Sequence, residues 1–495
     1  MNNDKNYSRF PKSDAIVDGY EVLVKMYIAI CILLLHVTVV RNDKLQDREE
    51  TMPTIDSDTL KWIHAIYGGL GPVLNSPLNR RPRRSEKMII KPVPEQIHIS
   101  YGDNPTEMVV VWSTPSPGVP SVLYGLVNDN KTEQATGTSK HFTFGNPDGL
   151  QYLHRVKLKN LTPGSKYTFK VQTDDEDSQP FEFTAMRDGY NWSPNLLIYG
   201  DMGVKGGAPT LLPLNREASS GLMDAIIHIG DFAYDLHDEG GKVGDDFMNR
   251  IQSLATKLPY MPVVGNHEIA NEFSHYRYRF STPNTDWPIP IDKMWYSFNM
   301  GNVHFIIYST EVFFTYGPDY TQYQWLQADL IKANKNRDKQ PWVIALGHRP
   351  MYCSNSDGDD CTHTFSRVRQ SLEELFHTQG VDVIFQGHEH SYERLYPIFN
   401  NEVYSKDYTD PQAPVHIITG AAGCNEFNKI CINPMLGPIK SWSAFRAWLP
   451  GLYSYGKLMI ANATHLQWQQ ILSVNGQVMD DIWIVQRHHG PFKMR

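Results

Sequence analysis

The sequence predicts a small all-β domain followed by a larger domain in which strands and helices alternate. Between residues 92 and 187, short apolar runs are separated by turn residues, as is typical of sandwich strands. From residue 193 to about residue 440, strand patterns alternate with helical ones, which indicates β-α-β units packed as a layered sandwich. Apolar residues make up 41% of the 495-residue chain, enough for a large core distributed over two or three domains.

The N-terminal region contains one apolar segment, residues 27–40, which lies between Lys25 and Arg41. Because a membrane-spanning helix needs about 20 apolar residues, this shorter stretch fits the apolar core of a secretory signal. We therefore predict a signal peptide within residues 1–41. A signal-anchor is the alternative, since the flank before the apolar core is long, and a membrane partner is expected only if residues 26–40 stay uncleaved. Either way, the protein is expected to enter the secretory pathway and to be secreted or lumenal.

Residues 42–91 are interpreted as a linker or pro-segment, because they contain several prolines and the basic run Arg-Arg-Pro-Arg-Arg at positions 80–84. A solvated basic tether is the favoured interpretation, and proteolytic processing after Arg84 is the alternative. The chain as a whole carries a formal net charge of −8 and lacks a broad basic stripe, which argues against a nucleic-acid partner.

Cysteine usage fits an oxidising compartment. One of the five cysteines lies in the targeting segment, and the other four form an even set. We predict the local pairs Cys353–Cys361 and Cys424–Cys431, although four cysteines allow three connectivities. Acceptor triplets for N-glycosylation, which support secretion together with the apolar segment, begin at Asn130, Asn160 and Asn462.

Residues 92–187 form the predicted β domain, with strands that include Met108–Trp112 and Tyr167–Val171. The stretch Leu161–Tyr167 resembles the turn of fibronectin type III domains that carries a corner tyrosine, whose buried hydroxyl returns to the backbone. No residue of this domain is a candidate for catalysis.

Five apolar runs in the second domain each end in a glycine followed by a side chain that binds metals. Ligand sites of α/β sheets gather beyond the carboxyl ends of strands, and glycine allows a sharp turn and a close backbone approach there. A single aspartate or histidine in such a place is more often structural, but five in the same order indicate a site. The pairs are Gly200-Asp201, Gly230-Asp231, Gly265-Asn266, Gly347-His348 and Gly387-His388.

The candidate ligands are too many for one ion and therefore predict a binuclear centre. Oxygen and imidazole ligands without thiolates favour iron, manganese or zinc. Asp231 is the best candidate for a bridge, because a carboxylate has two oxygens to share. His388 and His390 would project to the same side of an extended backbone, so that one could serve each ion. The full set is Asp201, Asp231, Tyr234, Asn266, His348, His388 and His390.

These motifs resemble, in order, those of the purple acid phosphatases, which belong to the calcineurin-like metallophosphoesterases. The resemblance covers about residues 92–490 and is closest to the high-molecular-weight form. It implies a fibronectin type III-like N-terminal domain over residues 92–187 and a metallophosphoesterase domain over residues 193–440, with two mixed sheets flanked by helices. Residues 441–495 would complete that domain. Tyr234 is the most specific match, because the corresponding tyrosine of the family binds ferric iron as a phenolate.

The resemblance also implies which ion each residue holds. Asp201, Tyr234 and His390 would bind Fe(III), and Asp231 would bridge to a divalent zinc, iron or manganese ion. Asn266, His348 and His388 would bind that second ion. Because free tyrosine has a pKa near ~10, only a strongly Lewis-acidic ion keeps its phenolate at low pH.

The function implied is that of an acid phosphatase that hydrolyses phosphate monoesters by in-line attack of hydroxide formed at a binuclear centre. Asn266 and His267 are the candidate catalytic residues, and His267 would contact phosphate and protonate the leaving group. A histidine that only orients a ligand is the alternative for His267, and Glu268 is expected to support the turn. The substrate would be a phosphorylated small molecule or protein.

Two other functions stay open at the level of sequence. A phosphodiesterase or nucleotidase could use the same scaffold, although most such enzymes of the superfamily lack the equivalent of Tyr234. An inactive extracellular binding protein is the second alternative, against which the full ligand set argues. The sequence also leaves open a homodimer.

One loop departs from the family pattern. After Gly-His-Arg-Pro, the family commonly supplies further histidines to the substrate pocket, whereas residues 353–363 of this chain are acidic. His363 could fill that role. The acidic residues are predicted to disfavour highly charged substrates such as nucleoside triphosphates.

Overall fold

The computed structural model describes residues 93–144, 151–315, 320–424, 437–447 and 452–493. The predicted signal or signal-anchor region and the linker lie outside these residues. Within them, no helix combines the length and the apolar character that crossing a bilayer requires.

The N-terminal part is a sandwich of two antiparallel sheets, as predicted. One sheet has the strand order β1-β2-β6-β5, and the other has β4-β3-β7-β8 with β9 paired to β7. Residues of both sheets, such as Val110 and Val171, belong to one buried core. The strands are β1 (Glu95–Tyr101), β2 (Met108–Thr114), β3 (Pro120–Leu126), β4 (Glu133–Thr136), β5 (Thr138–His141), β6 (Tyr152–Leu158), β7 (Lys166–Thr173), β8 (Glu176–Asp177) and β9 (Phe181–Thr184).

The corner tyrosine predicted for this sandwich is present. Tyr167 is buried, and its hydroxyl accepts a hydrogen bond of 2.8 Å from the backbone N–H of Thr162. The bond ties the start of β7 to the preceding turn.

The second part contains two mixed sheets. One has the order β12-β11-β10-β22-β23-β24, and the other has the order β13-β14-β15-β16-β20-β17-β21. The strands are β10 (Asn195–Tyr199), β11 (Ala225–Ile229), β12 (Tyr260–Val263), β13 (Tyr296–Met300), β14 (Val303–Ile307), β15 (Trp342–Leu346), β16 (Val383–Gln386), β17 (Tyr392–Leu395), the short pair β18 (Ile398–Phe399) and β19 (Glu402–Val403), β20 (Val415–Thr419), β21 (Ser443–Ala447), β22 (Ser454–Ile460), β23 (His465–Leu472) and β24 (Val478–Val485).

Side-chain alternation along the strands explains the layers. Leu196 and Ile198 of β10 share a core with Ile344 of the other sheet, whereas Leu197 packs among helical residues such as Phe247. The two sheets therefore face each other, and helices cover their outer faces. The helices are α1 (Ala208–Ser219), α2 (Lys242–Ala255), α3 (Ala270–Arg279), α4 (Val312–Thr315), α5 (Tyr320–Asn334) and α6 (Arg367–Thr378).

Parallel pairing brings the ligand-bearing strand ends to one edge. Strands β10, β11 and β12 run parallel in the first sheet, and β14, β15, β16 and β20 run parallel in the second. Both sheets therefore contribute carboxyl ends to the predicted site.

Candidate metal centre

Four of the five predicted ligand pairs begin directly after the end of a strand, and the Gly265-Asn266 pair begins one residue later. Asp201 and Asp231 are two residues beyond β10 and β11, and Asn266 is three residues beyond β12. His348 and His388 are two residues beyond β15 and β16 of the other sheet. The candidate site is therefore assembled from the strand ends of both sheets.

The backbone at the site is strained, and the strain lies on four of the predicted ligands. Asp201, Asp231, Tyr234 and His388 have φ angles of 60°, 52°, 52° and 68°, in the left-handed region that non-glycine residues seldom occupy. Such outliers cluster at functional sites, where the surrounding structure holds them. The bent backbone around His388 also means that the extended geometry expected for residues 388–390 is wrong.

Two of the motif glycines lie against carboxylate oxygens of the site and leave no room for a side chain. A methyl group at Gly265 would lie 2.3 Å from Asp231 Oδ1, and one at Gly387 would lie 2.6 Å from Asp201 Oδ2. Glycine was expected to allow either a sharp turn or a close approach of the backbone to the site. Close approach accounts for Gly265 and Gly387.

The first group of ligands consists of Asp201, Tyr234 and His390. The Tyr234 hydroxyl lies 3.1 Å from Asp201 Oδ1 and 2.8 Å from His390 Nε2. His390 Nε2 is 3.5 Å from the same carboxylate oxygen. Phenol, carboxylate and imidazole atoms thus converge in this group, which the family resemblance assigns to Fe(III).

The second group consists of Asn266, His348, His388 and Asp231. His348 Nε2 lies 3.0 Å from Asn266 Oδ1, 3.1 Å from Asp231 Oδ2 and 3.2 Å from His388 Nδ1. The Asp231 carboxylate therefore lies against this group, and its bridge to the first group remains a prediction.

The second group fits a cation because its atoms are acceptors that face one another. His348 Nδ1 is 2.8 Å from the carbonyl oxygen of Ile229, which only accepts, so the Nδ1–H donates and Nε2 presents a lone pair. That lone pair faces two oxygens, an arrangement that only a proton or a metal ion stabilises. Burial lowers the pKa of His348, but the charge of Asp231 and its hydrogen bond outweigh burial and raise it to about 10. The atoms around His348 Nε2 are therefore stabilised by a positive charge, which a bound metal ion would supply.

His267 lies beside these ligands and is oriented by a carboxylate. Its Nδ1 is 2.7 Å from Asp235 Oδ1, its backbone N–H donates to Asp231 Oδ1 at 3.0 Å, and its Nε2 lies 4.0 Å from Asp231 Oδ2. The ring also packs edge-on against Tyr234, with 4.5 Å between the ring centroids. Asp235 directly follows the Gly-Asp-Phe-Ala-Tyr motif but is not among the site residues predicted from the sequence.

Glu268 supports the turn, as expected. Its Oε2 accepts backbone N–H groups from Gly265 at 2.9 Å and Asp231 at 3.0 Å, and its Oε1 accepts that of Phe232 at 3.0 Å. One buried carboxylate therefore joins the turn after β12 to the turn after β11, and so holds Asn266 and Asp231 in register.

The acidic loop reaches the site through Asp359, a second residue that the sequence analysis did not single out. Asp359 Oδ2 is hydrogen-bonded to His388 Nε2, and its other oxygen lies 3.4 Å from Arg349 Nη1, which is itself 3.0 Å from His388 Nε2. His363 is exposed, and its Nε2 bonds the carbonyl of Gly358 at 2.8 Å. The predicted disulfide Cys353–Cys361 is confirmed. Cys424 is also disulfide-bonded, and its predicted partner Cys431 lies outside the described residues.

Comparison with known proteins agrees with this geometry. Three family models match the chain: the purple acid phosphatase N-terminal domain over residues 94–185, the calcineurin-like phosphoesterase over residues 194–392, and the iron/zinc purple acid phosphatase-like protein C over residues 413–481. Acid phosphatase type 7 of Mus musculus is 43% identical over 412 residues, which cover 79% of this chain and 91% of that protein. The chain belongs to the purple acid phosphatase family.

More distant purple acid phosphatases match over a similar length. Purple acid phosphatase 22 of Arabidopsis thaliana is 29% identical and covers 82% of this chain and 90% of its own length. The structure of a purple acid phosphatase from seeds of yellow lupin (Lupinus luteus) superposes with a TM-score of 0.68 at 24% identity, covering 80% of this chain and 75% of that one, which supports the fold.

The sequence predictions of family, fold class and enzyme activity are therefore confirmed. This purple acid phosphatase is a metal-dependent phosphoric monoester hydrolase that acts on a phosphorylated substrate. The predicted centre of iron and a divalent ion agrees with the iron/zinc description of the C-terminal family model and with the name of a relative, the Fe(3+)-Zn(2+) purple acid phosphatase 12 of Arabidopsis thaliana, 26% identical over 80% of this chain and 85% of its own length.

Proposed function

We propose that this acid phosphatase works with Fe(III) held by Asp201, Tyr234 and His390 and a divalent ion held by Asn266, His348 and His388. Asp231 would bridge the two. The observation that carries this assignment is the convergence of acceptor atoms on His348 Nε2, which lies between 3.0 and 3.2 Å from three of them. When bound, two such ions clamp phosphate oxygens and lower the pKa of water.

His267 is proposed as the residue that protonates the leaving oxygen. Asp235 accepts from Nδ1–H at 2.7 Å, which fixes the ring so that Nε2 is directed to the side of Asp231. A histidine positioned in this way can donate the proton on Nε2 to the leaving oxygen. Asn266 contributes a neutral oxygen beside His348 and adds no charge that would repel phosphate.

The preferred substrates are proposed to be simple phosphate monoesters of small molecules or proteins rather than nucleoside triphosphates. Arg349 is the guanidinium closest in sequence to the ligands, and its Nε already pairs with Glu311 at 3.0 Å while Nη1 lies 3.4 Å from Asp359. Both partners are carboxylates, so Arg349 has little positive charge left for a second or third phosphate.

Secretion, or residence in a secretory compartment, is proposed from chemistry outside the site. The bond between Cys353 and Cys361 persists in oxidising compartments. The three acceptor residues Asn130, Asn160 and Asn462 are all exposed, so a glycan would be accommodated at each. Enzymatic deglycosylation of the expressed protein should increase its gel mobility; unchanged mobility and recovery from the cytosol would contradict the proposal.

Metal analysis combined with visible spectroscopy tests the ligand assignment. We expect one iron and one divalent ion per chain, together with a visible band that Tyr234→Phe abolishes while iron is retained. Tyr190→Phe, at an exposed tyrosine, is the matched control and should leave the band unchanged. A colourless oxidised protein, or one ion per chain, would refute the assignment. Faster turnover of ATP than of an aryl phosphate would refute the substrate preference.

A further inference from the structure

We propose that Asp359 is the positioning residue that directs His388 Nδ1 at the divalent ion, an inference that rests on the proposed ligand assignment. His388 uses its two ring nitrogens differently. Nδ1 lies 3.2 Å from His348 Nε2, inside the second ligand group, whereas Nε2 is hydrogen-bonded to Asp359 Oδ2 outside that group.

The partner on Nε2 decides the protonation of Nδ1. Arg349 Nη1 also lies 3.0 Å from Nε2, but that guanidinium has the carboxylates of Glu311 and Asp359 as acceptors. An ionised carboxylate only accepts hydrogen bonds, so Asp359 requires a proton on Nε2. In neutral imidazole the other nitrogen then presents its lone pair, and that nitrogen is Nδ1. The opposite tautomer would place a lone pair against the Asp359 carboxylate. Carboxylate–histidine pairs of this kind orient metal ligands and raise their basicity.

His388 is constrained from its backbone as well. Its N–H donates to Asp201 Oδ2 at 2.9 Å, and its φ of 68° turns the chain sharply at this residue. Asp201, proposed for the iron, thus fixes the backbone, and Asp359 fixes the ring. The two contacts act on different parts of one residue, so loss of Asp359 should affect ring orientation while the iron ligands stay in place.

Asp359 is itself held in the required place. Its Oδ1 accepts the backbone N–H of Asp360 at 2.7 Å and lies 3.4 Å from Arg349 Nη1. Arg349 is partly buried and pairs with the buried Glu311, with 3.0 Å between Nε and Oε1. The Cys353–Cys361 disulfide closes the loop that carries Asp359. A chain of contacts therefore runs from Glu311 through Arg349 and Asp359 to His388.

The structure also contains a matched histidine–aspartate pair away from the site. His304 Nε2 lies 2.9 Å from Asp329 Oδ2, and both side chains are largely buried. His304 occupies the amino end of β14, opposite the strand ends that carry the ligands. Asp329→Asn therefore removes an equivalent carboxylate from a histidine without touching the metal centre.

The test measures how strongly the full-length protein retains zinc against a graded chelator, with iron followed separately by its visible band. We expect Asp359→Ala to weaken zinc binding by about 10–100-fold and to keep the band. Asp359→Asn should fall between Asp359→Ala and the unmodified protein, because its amide oxygen still accepts from Nε2–H without the charge. Asp329→Asn should bind zinc as the unmodified protein does.

Other outcomes separate the alternatives. If Asp359 only repelled anionic substrates, both substitutions would accelerate ATP hydrolysis and leave zinc affinity within about twofold of the unmodified protein, and that result would overturn the proposal. If Asp359→Ala does not fold, the zinc affinity of Asp359→Asn is compared with the same twofold limit. An unmodified protein that holds neither iron nor zinc would refute the ligand assignment itself, and this inference with it.

Discussion

Replacing Glu268 tests whether one buried carboxylate maintains the geometry of the centre. Glu268 is 2% exposed and accepts three backbone N–H groups, from Gly265, Asp231 and Phe232, at 2.9 to 3.0 Å. Glu268→Ala leaves all three donors buried without that acceptor. Each such group costs about 1–3 kcal/mol, so the free energy of unfolding should fall by about 3–9 kcal/mol, toward the lower end if water enters.

Glu268→Gln measures the stability cost of losing only part of this hydrogen bonding. The amide replaces one acceptor oxygen by a donor, so at least one of the three hydrogen bonds is lost and the cost should be about 1–3 kcal/mol. As a control, Glu217→Ala removes a partly exposed pair with Lys457, in which Oε2 and Nζ are 3.0 Å apart, and should cost about 1 kcal/mol or less.

The assay is urea unfolding of the metal-depleted proteins, followed by intrinsic fluorescence, with metal content measured on the loaded proteins. Because the same carboxylate orders the turns that carry Asp231 and Asn266, Glu268→Ala should also lower metal content. A loss of about 1 kcal/mol or less for Glu268→Ala, with full metal content, would show that the turns keep their geometry without this residue.

Two further predictions concern proton transfer and stability in acid. His267→Ala should lower kcat by about 10²–10⁴-fold for alkyl phosphates and much less for aryl phosphates, whose leaving groups are more acidic. Asp235→Asn should lower kcat less than His267→Ala does. Equal losses of kcat for both substrate classes would argue against a general acid. Burial lowers the pKa of His416 to about 3. The His416 side chain takes up a proton below about pH 6.5 in the unfolded chain but not in the folded chain, so the free energy of unfolding should fall as the pH drops from about 6.5 to about 3. His416→Gln should make this pH dependence less steep in urea unfolding. An unchanged pH dependence would contradict the prediction.

Much of the candidate centre could be predicted from sequence because each ligand belongs to a local pattern. An apolar strand, a glycine and an oxygen or nitrogen ligand are adjacent in the chain, as in Ile229-Gly230-Asp231. Parallel pairing then brings such strand ends to one edge. The corner tyrosine and the Cys353–Cys361 disulfide were predictable for the same reason, since their partners are 5 and 8 residues apart.

The predictions failed where the backbone departs from regular geometry. An extended chain was assumed for residues 388–390, yet His388 is left-handed and bends the chain. The rings of His388 and His390 nevertheless lie in different ligand groups. Sequence spacing carries no information about such a turn, because the conformation is imposed by contacts such as that of the His388 N–H with Asp201, which is 187 residues away.

The sequence alone determined the candidate ligands and their place after successive strands, because side-chain chemistry and strand periodicity are local properties. Only the tertiary structure decided which carboxylates orient the histidines. Asp235 and His267 are 32 residues apart, and Asp359 and His388 are 29 apart. Both pairs lie across turns whose directions depend on packing between the sheets and on the disulfide-closed loop. Hydrogen bonds over such separations depend on distances of a few tenths of an ångström, which a pattern of residues does not specify.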